Sequence, residues 1–95
     1  MHYRITRLKH SEENQSKVIA YLESVTEEIE SIDGLLSITL ISVSKTETLG
    51  LSHYESEEKM INANPVQKKV LAGATELLSG APEVENGDVL WEWSR

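Results

Sequence analysis

The chain has no cysteine and no phenylalanine among its 95 residues. The absence of cysteine excludes disulfides, thiolate nucleophiles, cysteine–zinc sites and iron–sulfur clusters within this chain. Basic residues are scarce, 9 against 16 acidic ones, and the net charge of −7 argues against a nucleic-acid partner. No apolar run approaches the roughly 18 residues of a membrane span, and the N-terminus lacks the apolar core of a signal peptide. We therefore expect a one-domain cytoplasmic protein with no membrane partner.

One segment has clear helical periodicity. Its apolar residues recur at steps of 4, 3, 4 and 3: Val18, Leu22, Val25, Ile29 and Ile32. That spacing places them on one helix face. Gly34 follows and can end the helix, because glycine readily adopts the left-handed conformation. The pattern predicts one helix over residues 12–32.

Alternating and β-branched patterns predict four strands. These strands cover residues 3–8, 35–43, 48–54 and 88–94, with a polar turn over 44–47 and a loop over 81–87. Ser56 is the predicted N-cap of a second helix, which Pro65 interrupts and which continues to about residue 78. The order βαββαβ predicts an α+β, ferredoxin-like fold: a four-stranded antiparallel sheet with both helices on one face.

Apolar residues occur on both faces of the predicted hairpin. Ile38 and Leu40 alternate with Ile41 and Val43, so the sheet face without helices also carries apolar side chains. A large exposed apolar face usually marks an interface, and twofold dimers are the commonest assemblies. The pattern therefore predicts a homodimer. The alternative is a monomer with a partly wetted sheet.

A resemblance to a known family begins at the third strand. The run from Leu51 to Met60 (LSHYESEEKM), followed by Asn64-Pro65-Val66, resembles the antibiotic-biosynthesis-monooxygenase-like family of dimeric α/β barrel proteins. In that family an aromatic–Glu–Ser step often leads from the third strand into an interrupted helix. The resemblance implies a dimeric α/β barrel domain over residues 1–95. Two sheets would face each other, with a small-molecule pocket between the sheet and the helices of each subunit.

The resemblance also implies a function. It indicates a cofactor-independent monooxygenase acting on a small phenolic or quinol compound, so a small aromatic ligand is the expected partner. Haem-degrading relatives share a first-strand asparagine, where this chain has Thr6, and a tryptophan and a histidine on the second helix, where it has neither. Haem is therefore not expected. The alternatives are a non-catalytic or vestigial barrel that binds a small ligand or only dimerises, and an interaction subunit of a larger assembly.

His53 is the candidate catalytic base. It is the only histidine inside a predicted element away from the N-terminal region, and an imidazole with a near-neutral pKa could deprotonate a phenolic substrate. The alternative is a hydrogen-bonded strand histidine without catalytic function. No metal site is expected, because the glutamate-rich first helix lacks metal-ligand spacing.

Four further residues are candidates for ligand binding: Tyr54, Asn62, Asn64 and Trp91. Aromatic rings could stack on a planar ligand and amides could bind its oxygens, but packing and helix capping are the alternative roles. Tyr54 is predicted to lie on the sheet face opposite His53. Arg4 and Arg7 are predicted to be solvated or paired with acids, with recognition of an acidic group as the alternative.

Overall fold

The computed structural model describes residues 1–95 and contains four strands and four helices. These are β1 His2–Lys9, α1 Gln15–Ser24, α2 Thr26–Glu30, β2 Leu35–Ser44, β3 Glu47–Tyr54, α3 Glu57–Asn62, α4 Asn64–Gly73 and β4 Glu83–Asp88. Every strand pair is antiparallel, and the order across the sheet is β2-β3-β1-β4. The predicted α+β ferredoxin-like fold is confirmed. None of the helices combines the length and the apolar character that crossing a membrane requires.

The first helical region is interrupted, so the prediction of one continuous helix is wrong. It consists of a 3₁₀ turn at Glu12–Asn14, then α1, then α2 after a break at Val25, whose φ and ψ are −111° and 21°. The hydroxyls of Ser24 and Thr26, on either side of the break, donate to carbonyls three residues earlier. Such side-chain bonds compete with the helical backbone pattern and account for the interruption.

The second helical region begins as predicted and ends earlier. Ser56 is the N-cap, and its hydroxyl accepts a hydrogen bond from the Lys59 amide at 3.2 Å. The break falls at Ala63, with Pro65 in the first turn of α4, where its missing N–H costs nothing. α4 ends at Gly73, and a 3₁₀ turn at Thr75–Leu77 follows.

The last strand was predicted too late in the chain. β4 covers Glu83–Asp88, inside the segment predicted to be a loop, and it pairs only with β1. All its residues are exposed, and its sequence, EVENGD, has no apolar alternation to detect. Trp91 and Trp93, assigned to that strand, lie beyond it in a segment without regular structure, 80% and 63% exposed.

The sheet has two different faces. Side chains of His2, Arg4, Thr6 and Leu8 alternate with exposed or half-buried neighbours and are themselves buried toward the helices. The other face, here called the open face, carries half-buried or exposed apolar residues of three strands: Ile5, Ile41, Val43, Leu49 and Leu51. The apolar character predicted for both faces of the hairpin is therefore present.

Substitution of Gly34 by alanine is expected to destabilise the fold by about 1–2 kcal/mol. Gly34 has φ of 83°, and an added Cβ would lie 2.6 Å from Cβ and Cγ of Lys59. Chemical denaturation would measure the loss. Gly80→Ala is the matched control, because a Cβ at Gly80 meets no atom within 4 Å. Equal effects of the two substitutions would contradict this explanation.

Candidate functional site

An apolar cavity of about 90 Å³ lies between the sheet and the helices. We call it the sheet–helix cavity. Nine of its 13 lining residues are hydrophobic, including Leu22 and Ile29 from the first helical region and Leu71 from α4. A mostly apolar lining with a few polar groups is typical of small-molecule sites. An apolar protein cavity of about 150 Å³ binds benzene. The sheet–helix cavity is smaller, so even a one-ring ligand requires these half-buried helix side chains to move, and a two-ring ligand requires a larger movement.

Tyr54 connects the cavity to a polar cluster. It lines the cavity, is 2% exposed, and packs against Met60 and Ala63. Its hydroxyl accepts a 3.4 Å hydrogen bond from the Arg4 guanidinium, which lies 5.5 Å from the ring centroid. No group of the chain accepts the Tyr54 hydroxyl proton, so the hydroxyl can donate to a ligand.

The protonation of Tyr54 suits a hydrogen-bond donor. Burial raises the pKa of the Tyr54 phenol above its ordinary value of 10.0, and the positive charge of Arg4 partly opposes this rise. The phenol therefore stays protonated at neutral pH. A hydroxyl that accepts a hydrogen bond from a cation donates a stronger hydrogen bond to an oxyanion than a hydroxyl without such a neighbour.

Arg4 is 3% exposed and has no carboxylate partner. Its other hydrogen bonds go to the Met60 carbonyl at 3.0 Å and to Oδ1 of Asn64. Arg7, on the opposite face of β1, pairs with Glu47 at 2.7 Å as predicted. The expectation that Arg4 is solvated or paired with an acid is wrong, because β1 turns its side chain toward the helices.

A histidine–aspartate pair lies next to this cluster. Nδ1 of buried His2 lies 2.6 Å from a carboxylate oxygen of Asp88, and its Nε2 lies 2.9 Å from Oδ1 of Asn86. The hydrogen bond to Asp88 raises the pKa of His2 above 6.5, although desolvation opposes it. The same hydrogen bond lowers the pKa of Asp88 below 3.8.

The His2–Asp88 pair is expected to make the free energy of unfolding fall both at high pH, where His2 loses its proton, and at low pH, where Asp88 gains one. The contribution of His2 is fully present below pH 6.5 and disappears as the pH rises through its higher folded pKa. That of Asp88 is present above pH 3.8 and disappears as the pH falls through its lower folded pKa. Asp88→Asn should lower the pKa of His2 in an NMR titration. An unchanged His2 titration would contradict the pairing.

His53 does not line the sheet–helix cavity. It lies on the open face opposite Tyr3, and the two rings stack with centroids 4.4 Å apart and planes 7° from parallel. Its Nε2 is buried without a hydrogen-bond partner. Tyr54 is on the other face, as predicted from strand alternation, so these two candidates cannot act in one site.

The remaining candidates lie in different places. Asn64 binds Arg4, whereas Asn62 is exposed at the end of α3 and Trp91 is exposed in the C-terminal segment. The structure therefore brings together Tyr54 and Asn64 only, through Arg4. The even spacing of Arg4 with Thr6 and Leu8 is the sequence signal that could have placed it toward the helices. No group of three His, Cys, Asp or Glu residues is arranged to hold a metal ion.

The fold is similar to solved structures of monooxygenases and of a dimeric protein. No family model and no curated protein matches the chain. A Streptomyces coelicolor monooxygenase, from the gene ActVA-Orf6 and in complex with nanaomycin D, has 20% identity and a TM-score of 0.76, covering 96% of this chain and 92% of that one. A dimeric ferredoxin-like protein from an uncultured marine organism has 14% identity and a TM-score of 0.81, covering 99% and 91%.

A structure described as an antibiotic biosynthesis monooxygenase also aligns with the chain. It has 11% identity and a TM-score of 0.71, and the alignment covers 95% of this chain and 99% of that one. The predicted resemblance to antibiotic biosynthesis monooxygenases is thus confirmed at the level of the fold. Likeness at this identity shows the architecture, whereas the chemistry of a protein depends on the residues at its site.

Proposed function

We propose that the protein is a homodimeric, cofactor-independent monooxygenase-like protein that binds a small phenolic or quinol compound in the sheet–helix cavity. One observation carries the proposal: an apolar cavity adjoins a buried hydroxyl donor, Tyr54, which is hydrogen-bonded to the buried cation of Arg4. The apolar walls suit an aromatic ring. The donor and the cation suit the oxygen of its phenolate form.

The chemistry assigned to these residues is stabilisation of charge. A phenolate reacts with dioxygen more readily than a phenol, and the Tyr54–Arg4 pair favours the phenolate by hydrogen bonding and charge. The proton leaves to water. In the overall reaction, a ring C–H carbon becomes a quinone carbonyl: one atom of dioxygen enters the carbonyl, and the other leaves as water with the phenolic and ring hydrogens. The substrate supplies all the electrons.

The proposed homodimer is supported by the open face. Its apolar residues Ile41 and Val43 are exposed, and a second subunit would cover them. The similar marine protein is described as dimeric. In the C-terminal segment, Leu90 is 97% exposed and is followed by exposed Trp91, and we include this apolar segment in the proposed interface.

A non-catalytic ligand-binding protein is the second candidate function. No imidazole or carboxylate lines the sheet–helix cavity, so it contains no general base. A protein of this second kind would be stabilised by an aromatic ligand without converting it.

Oxygen uptake with an electron-rich dihydroxynaphthalene tests the proposal. The expected product is the hydroxynaphthoquinone, which has gained one oxygen and lost two hydrogens, with one water formed for each dioxygen consumed. Tyr54→Phe should lower the rate at least tenfold, because it removes the donor and keeps the ring.

The outcomes of this assay separate the two candidate functions. Ligand-dependent stabilisation without product would establish the non-catalytic alternative and exclude the oxygenase. His53→Ala shows where the reaction takes place. Retained turnover assigns the reaction to the cavity. Loss of turnover in a folded variant assigns it to the open face, contrary to the proposal.

A further inference from the structure

A second recognition element lies next to the sheet–helix cavity. An open groove of about 490 Å³ runs between α4 and β4 over the buried side chain of Arg4. We call it the Arg4 groove. Its lining includes Arg4, Lys68, Asn64 and Asn86, and it contains no acidic residue. In a chain with a net charge of −7, this is a locally positive site.

We infer that the Arg4 groove binds the carboxylate of an aromatic acid whose ring occupies the sheet–helix cavity. The inference rests on the proposed function, because it assigns the substrate class for that cavity. Gln67 and Leu71 line both the cavity and the groove, so the two are adjacent, and one ligand reaches both once these two side chains move aside.

The hydrogen bonds of Arg4 identify the missing partner as an anion. All three acceptors that it meets are neutral: the Tyr54 hydroxyl, the Met60 carbonyl and the Asn64 amide oxygen. A guanidinium has five N–H donors, so two remain without an acceptor in the chain. A buried cation without a counter-charge is costly, and a planar carboxylate matches the guanidinium with paired hydrogen bonds.

Nearby acids do not supply this counter-charge. Asp88 is bound to His2, and Glu57 lies 3.9 Å from the same imidazole. Arg7, on the same strand but the opposite face, has its carboxylate in Glu47. The two arginines of β1 therefore differ in their counter-charge: Arg7 is neutralised by a carboxylate of the chain, and Arg4 is not.

A matched pair of ligands tests the inference. NMR titrations of the intact protein would compare 3-hydroxybenzoate with 3-hydroxybenzamide. Both have the phenol and the carboxyl or amide group on the same side of the ring, so that both groups can reach the Tyr54–Arg4 pair, and they differ in charge. The acid should bind at least tenfold more tightly, shifting signals of both Lys68 and Leu71. Arg4→Gln should abolish this preference, because it removes the charge that the carboxylate meets. The control Arg7→Gln removes the same charge from the opposite face of β1 and should preserve the preference for the acid over the amide.

The outcomes distinguish this inference from the proposed function. Equal affinity of both ligands for the wild-type cavity would overturn the inference and leave the cavity proposal standing, whether or not Arg4→Gln folds. Equal losses in Arg4→Gln and Arg7→Gln would also overturn it, since they indicate a general charge effect. If the acid shifts NMR signals of groove residues but not those of cavity residues, the ligand does not bridge the two, and the inference is wrong. Absence of binding by either compound would contradict both proposals.

Discussion

Substitution of Leu51 by glutamate is expected to convert the proposed dimer into a monomer. Leu51 lies at the centre of the open face, between Ile5 on β1 and Thr39 on β2. In the proposed dimer a glutamate there would be a buried charge without a partner, which is strongly unfavourable. We expect dimer dissociation to become about a thousandfold more favourable. Analytical ultracentrifugation would measure it.

The control for this experiment carries the same substitution on another surface. Ile61 is 52% exposed on α3, away from the open face, so Ile61→Glu should leave the dimer intact. Tryptophan fluorescence offers a second readout, because Trp91 and Trp93 are the only tryptophans. If the partner subunit covers them, both become more exposed when the dimer dissociates. A wild-type monomer, or a Leu51→Glu dimer of unchanged affinity, would contradict the assembly.

Substitution of Ser52 by leucine is expected to abolish binding of an aromatic ligand while the protein stays folded. Ser52 lines the sheet–helix cavity, whose volume of about 90 Å³ would be largely filled by the longer apolar side chain. Filling an apolar void leaves stability unchanged or increases it. Ligand affinity should therefore fall at least a hundredfold, and the unfolding midpoint should not fall. Isothermal calorimetry and thermal unfolding would measure the two effects.

Ser16→Leu provides the comparison for the cavity variant. Ser16 is exposed on α1 and does not line the sheet–helix cavity, so the same substitution there should leave ligand affinity unchanged. If Ser52→Leu binds the ligand as the wild type does, the ligand site lies elsewhere. If both serine variants lose affinity together, the cause is a global change of the protein.

The strands and helices that bury one face could be predicted from the sequence. β2 is rich in apolar and β-branched residues, and Gly34 marks the turn between α2 and β2, where its φ is positive. β4 could not be predicted in this way. Its backbone is held by pairing with β1, a contact between distant parts of the chain, and its exposed side chains carry no pattern. Trp91 and Trp93 favour a strand by residue type, so the sequence predicts the strand in the segment that follows β4.

The candidate site was only partly predictable for a similar reason. Tyr54 and Asn64 were identified by residue type and position, but what unites them is Arg4, 50 and 60 residues away along the chain. An arginine in a strand is usually solvated, and the even spacing of Arg4 with Thr6 and Leu8 is the one sequence signal for its burial. His53 was favoured because imidazole suits base catalysis, yet strand register turns it to the open face.

Native mass spectrometry with added dihydroxynaphthalene would show whether each subunit binds a ligand between its sheet and its helices. We expect a mass of twice 10.7 kDa plus one ligand per subunit. We also expect Ser52→Leu to keep the dimer and to lose both ligands. A wild-type dimer that binds no aromatic ligand, or a Ser52→Leu dimer that still binds two, would contradict a ligand site between the sheet and the helices.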